Sequence, residues 1–88
     1  MRKLTESEFD SIVYSVVEEM SEVLDVSIYG FKVEVTFKSN SGKSKWNSVL
    51  DFDEVTGKYT YTSPYLGAAL PWQFGNSISG RIKEILNN

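Results

Sequence analysis

The stretch FKVEVTFK, residues 31–38, alternates apolar and polar side chains without a break. Phe31, Val33, Val35 and Phe37 point one way, and Lys32, Glu34, Thr36 and Lys38 the other. That period of two is the signature of a strand with one buried and one solvated face. The strand is expected to begin at about Ile28, with Gly30 marking a bulge or bend near its start. Ser39-Asn40-Ser41-Gly42 has the composition of a turn. A second alternating run follows, with Trp46, Ser48, Leu50 and Phe52 on one face and Lys45, Asn47, Val49 and Asp51 on the other. Glu54-Val55-Thr56-Gly57 reads as the next hairpin turn, with Gly57 suited to a positive φ. Lys58 to Ser63 is the third expected strand, with Tyr59 and Tyr61 on one side, and Pro64 ends it.

A helix precedes the strands. Thr5 and Glu8 fit the capping box, in which each side chain satisfies a backbone N–H at the helix start, and Leu4 and Phe9 flank it as a hydrophobic staple. Phe9, Ile12, Val13, Val16, Val17, Met20, Val23 and Leu24 continue the i, i+3, i+4 series, which predicts a helix running through Leu24. Its valines are poor helix formers, so packing of the stripe must hold it. After an apolar loop from Tyr65 to Leu70, Pro71 suits the first position of a closing helix. Trp72, Phe74, Ile78, Ile82, Ile85 and Leu86 supply its apolar residues. Gly75 and Gly80 are costly inside a helix, and close approach to the sheet would account for them. Alternatively, Gly75 and Asn76 mark the helix start. The expected fold is α+β in the order αβββα: one domain, residues 1–88, with a three-stranded antiparallel sheet and two helices packed on one face.

Composition narrows the chemistry. There is no histidine and no cysteine in the 88 residues. The commonest general base, the commonest zinc ligand, thiol nucleophiles and disulfides are therefore all absent. Only carboxylates, Lys, Tyr and hydroxyls remain, so binding is expected rather than catalysis, with no cofactor and no metal. Asp51, Asp53 and Glu54 are the one carboxylate group with metal-like spacing, but Asp-Glu-x-Thr-Gly is also ordinary hairpin chemistry. MRKLTESEF has no apolar core of the kind a signal peptide needs, and a cytoplasmic protein is expected.

Charge is unevenly placed. The net charge is −3, and residues 1–25 hold seven acids against two bases. Glu18, Glu19, Glu22 and Asp25 place acid at the expected end of the first helix, where the helix dipole prefers cations. They form a candidate acidic contact for a basic partner, or a solvated face kept soluble by charge. Lys32, Lys38, Lys43 and Lys45 lie on the first two strands and their turn, with Trp46 alternating onto the core side. They are a candidate basic surface for single-stranded nucleic acid, or a solvated face, since lysines on a sheet face also guard against aggregation.

The 22 residues 59–80 carry no charge at all and hold three of the five tyrosines and one of the two tryptophans. Two prolines and many polar residues exclude a membrane span. The two helices and three strands already nearly fill one small core, so Tyr65, Leu66, Leu70, Trp72 and Phe74 are the candidate partner-binding residues; the alternative is that they plug the end of the core between sheet and helix. Tyrosine and tryptophan are enriched at the centres of protein interfaces.

The αβββα order resembles, in topology, that of the double-stranded-RNA-binding domain. The resemblance implies reading of RNA shape across two minor grooves. It also implies a basic cluster at the start of the second helix. Pro71 to Gly80 holds no basic residue, and Arg81 and Lys83 come a turn later. The leading expectation is a small non-enzymatic domain that binds a protein partner or itself, as a homodimer, through segment 59–80. An acidic inhibitor of a nucleic-acid-handling protein, of the kind mobile elements encode, and an RNA-binding domain are the alternatives.

Overall fold

A computed structural model of the chain describes residues 2–38, 45–62 and 69–87. The expected turn at 39–42 lies outside them. Helix α1 spans Glu6–Glu19, followed by strands β1 Val23–Tyr29, β2 Lys32–Lys38, β3 Lys45–Phe52 and β4 Tyr59–Thr62, and helix α2 Ala69–Leu86. The class is α+β, but the sheet has four antiparallel strands in the order β1-β2-β3-β4, not three.

The start of α1 follows its capping signal. The Thr5 hydroxyl accepts from the Glu8 amide at 3.1 Å, and Glu8 Oε1 accepts from the Thr5 amide at 3.0 Å. Leu4 and Phe9 are both buried in the core cluster. The helix stops five residues earlier than its apolar series suggests. Met20 is extended, with φ −114° and ψ 98°, and its amide closes the last turn onto Val16 and Val17. Val23 and Leu24 belong to β1. The reason is a bulge: Val23 pairs with Phe37 and Asp25 with Thr36, leaving Leu24 as the extra residue. The inward positions of β1 are therefore Val23, Val26 and Ile28, and the gap of three imitates a helical spacing.

Gly30 is a hairpin turn rather than a bulge. Its φ of +62° opens the two-residue link between Tyr29 and Lys32, which pair with each other. Only the first central residue has positive φ, as in a II′ turn. Gly57 adopts φ +77° before β4, as expected. The turn it ends is closed by Asp53, whose carboxylate accepts from the Val55 and Thr56 amides at 2.7 and 3.0 Å.

One face of the sheet carries Val33, Val35, Phe37, Leu50 and Phe52, all buried. Both helices cover it. Phe9 of α1 packs on Phe31 and Phe52 with ring centroids 5.4 and 5.3 Å apart, and Phe74 of α2 meets Phe37 edge-on at 5.7 Å. Ser79 of α2 donates to the Gly57 carbonyl at 2.7 Å and ties the helix to the turn before β4.

Pro71 is the third residue of α2, still within the first turn, where a missing N–H costs no helical bond. Gly75 and Asn76 lie inside the helix, not at its start. Gly75 allows close approach: a Cβ there would stand 2.4 Å from the Tyr59 ring and 3.0 Å from Leu50. Gly80 does not serve this purpose, since nothing lies within 4 Å of the corresponding point. The two glycines should thus respond oppositely to alanine. Gly80→Ala should stabilise by up to about 1 kcal/mol through helix propensity. Gly75→Ala should destabilise, because overpacking costs about 1–3 kcal/mol and outweighs the same gain. Urea melts of both variants check this, and a more stable Gly75→Ala would contradict the packing described.

Candidate functional site

Segment 59–80 divides between two elements and residues outside the description. Tyr65 and Leu66 lie outside the described residues. Leu70 is half-buried against the core. Phe74 is fully buried and belongs to the core, not to a contact surface. Trp72 is 58% exposed, the one residue of the expected set that the structure places in solvent. Helical geometry separates the last two: at about 100° per residue, positions two apart point about 200° apart. Phe74 falls in line with Ile78 and Ile82, and Trp72 falls beside β4.

There Trp72 meets residues that composition alone did not single out as contacts. Tyr59, Tyr61, Trp72 and Asn76 line a shallow cavity of about 280 Å³. The Tyr59 hydroxyl donates to Asn76 Oδ1 at 2.7 Å and lies 3.4 Å from the Trp72 carbonyl oxygen. Burial, with Tyr61 nearby as a lesser cause, pushes the Tyr59 phenol above its ordinary pKa, so its hydroxyl stays protonated and donating. No side chain of this cavity is charged.

The cavity borders the open edge of the sheet. Asp53 and Lys58 are joined by a bond from the Asp53 amide to the Lys58 carbonyl at 2.8 Å. Hydrogen-bonded and non-hydrogen-bonded pairs alternate along an antiparallel ladder. With Phe52 opposite Tyr59 and Asp51 opposite Thr60, the Thr60 and Thr62 main chain faces β3. The N–H and C=O groups of Tyr59 and Tyr61 therefore face outward, and among the described residues no strand pairs with them. The signal in the sequence was the YTYT alternation itself: the tyrosines sit opposite Phe52 and Leu50 on the inner face, at the rim of the core.

The four acids do not share one helix end. Glu18 and Glu19 close α1, Glu22 lies in the following turn, and Asp25 is on β1. The helix ends before the last two because Met20 is already extended. Glu19 forms an ion pair with Arg81 of α2, which also donates to the Ser15 hydroxyl at 2.6 Å. The Asp25 carboxylate accepts from the Val26 amide at 3.0 Å. Asp51 and Asp53 are not a joint site either, since β3 ends at Phe52 and Asp53 is turned onto its own loop. Among the described residues no group of three carboxylates is placed to hold a metal ion. A larger depression of about 500 Å³ at the β1–β2 hairpin end of the sheet mixes Lys3 and Lys32 with Asp51, Asp53 and Glu54.

No described helix is long and apolar enough to cross a membrane. Comparison with protein-family models, with curated proteins and with solved structures returns no match to this chain.

Two carboxylates of these networks set an acid response. The hydrogen bond from Arg81 holds the Glu19 carboxyl below the ordinary glutamate range, and the Thr56 and Val55 amides hold Asp53 low. A depressed folded pKa contributes stability above the unfolded value, and this is lost as pH falls through the folded value. Stability to urea should stay level from pH 7 to about 5 and decline below that, as unfolded carboxylates begin to take up protons. Glu19→Gln and Asp53→Asn should each make that decline shallower. An identical decline in the double variant would contradict these assignments.

Proposed function

We propose that this chain is a non-catalytic protein-contact module whose working surface is the outer edge of β4 with Trp72 of α2. The exposed indole beside an uncharged strand that, among the described residues, no other strand pairs on its outer side carries the reading. Natural edge strands are usually blunted by charge, proline or a bulge. The other edge, β1, has its bulge at Leu24 and an exposed Asp25. β4 carries no charge, proline or bulge in its four residues, Tyr, Thr, Tyr and Thr, and only its shortness limits what can add to it. An extended segment can add to such an edge through main-chain hydrogen bonds, with side-chain pockets alongside for selectivity. The shallow cavity of Tyr59, Tyr61 and Trp72 is placed to be that pocket, and tryptophan and tyrosine are the side chains that dominate interface energetics. Lack of charge spares the surface the desolvation cost of buried ions.

Trp72→Ser tests this. Because the indole is mostly in solvent, stability should change by no more than about 0.5 kcal/mol. Capture of a binding partner by the immobilised protein should drop at least about tenfold, as for an interface anchor. Glu18→Gln, on the exposed side of α1, serves as the control and should leave capture unchanged. Capture that survives Trp72→Ser but is lost with Glu18→Gln would move the contact to the acidic region.

A further inference from the structure

We infer that the strand added to β4 is the β4 of a second copy, paired antiparallel about a two-fold axis through Thr60. The inference rests on the contact-surface reading above and specifies its occupant. The outward-facing groups belong to Tyr59 and Tyr61, so any strand that adds must pair with those two residues. Setting Tyr59 opposite Tyr61 of the second copy makes the pairing self-complementary. Each copy then donates two N–H groups and accepts two, giving four main-chain hydrogen bonds. Shifting the register toward the turn would set Tyr61 against Gly57, whose N–H is already taken by the Asp53 carbonyl at 2.9 Å. In the central register Thr60 faces Thr60 of the second copy at a non-hydrogen-bonded position. Side chains come closest there, and Thr–Thr pairs are favourable.

Charge permits the same partner, although two copies with a net charge of −3 each repel overall. Segment 59–80 is where they can meet without bringing like charges together. Lys58, the nearest charge on the strand side, falls opposite Thr62 of the second copy. The two-fold axis runs perpendicular to the sheet, so it continues as eight strands with both α2 helices on one face and the two Trp72 side chains turned toward the junction. The bulge in β1 disfavours the head-to-tail alternative of β4 on β1, which would build an open filament.

Thr60 is exposed on the outer face of the sheet, opposite Asp51, so its substitution reaches the junction without touching the core. Sedimentation equilibrium of the full chain should show a dimer. Thr60→Lys and Thr60→Glu should each weaken self-association about tenfold or more, because like charges meet at the axis. An equimolar mixture of the two should restore the dimer as a heterodimer. Thr60→Lys gains Asp51 as a neighbour, and its dimer should recover in high salt, which keeps the test informative if the Glu variant is unstable. A dimer indifferent to both substitutions, or a mixture that stays monomeric while both variants are folded, overturns the β4 pairing. A wild type that is monomeric up to millimolar concentration overturns self-pairing. In that case, capture of another protein that still depends on Trp72 leaves the contact surface standing, and capture indifferent to Trp72 removes that reading as well.

Discussion

The close approach of α2 to β4 at Gly75 organises the end of this protein that carries the candidate contact. The helix comes so near the sheet that a side chain at position 75 would enter the Tyr59 ring. That contact sets the rotation of α2. With Gly75 against the strand, Phe74, Ile78 and Ile82 enter the core, and Trp72 and Asn76 line up along the sheet edge. Asn76 then takes the Tyr59 hydroxyl, and Tyr59 packs on Phe52 with ring centroids 5.4 Å apart. The aromatic cavity and the core rim are thus one packed unit. The helix-propensity cost of a mid-helix glycine, about 1 kcal/mol, is offset by the burial this approach allows.

The rest of the core is arranged around five phenylalanines from five elements or turns. Phe9 bridges Phe31 and Phe52 at one end of the sheet, and Phe74 meets Phe37 nearer the other. Each helix therefore has its own aromatic anchor on the same face. Between the helices, the Arg81–Glu19 pair and Ser15 join the solvent side. An exposed pair of this kind adds little stability, but it occupies an acid that would otherwise oppose the α1 dipole.

Much of this was legible in the residues. FKVEVTFK could only be a half-buried strand, Thr5 and Glu8 announced α1, and Gly57 announced a turn. The fourth strand was hidden for a physical reason. Its bulge spaces Val23 and Val26 by three, so the apolar series of α1 runs on into β1 without a break. No glycine or proline marks the true helix end at Met20. Gly30, read as a bend in one strand, separates two. At the candidate site, Trp72 was visible as an aromatic in an uncharged segment, whereas Phe74 could be assigned to the core only once the phase of α2 was known. The outward main chain of Tyr59 and Tyr61 depends on ladder parity, which follows from the Asp53–Lys58 bond and not from side-chain type. Tyr65 and Leu66, also expected at the contact, lie outside the described residues.

The parity of β4 connects the fold to the proposed contact, and amide hydrogen exchange resolved by residue reads it directly. In dilute solution the Thr60 and Thr62 amides, bonded to β3, should be protected, while those of Tyr59 and Tyr61 should exchange freely. As the protein is concentrated and self-association sets in, protection should appear at Tyr59 and Tyr61. Fast exchange at both tyrosines throughout the assembly range would contradict the account, as would protection of all four amides in the dilute monomer.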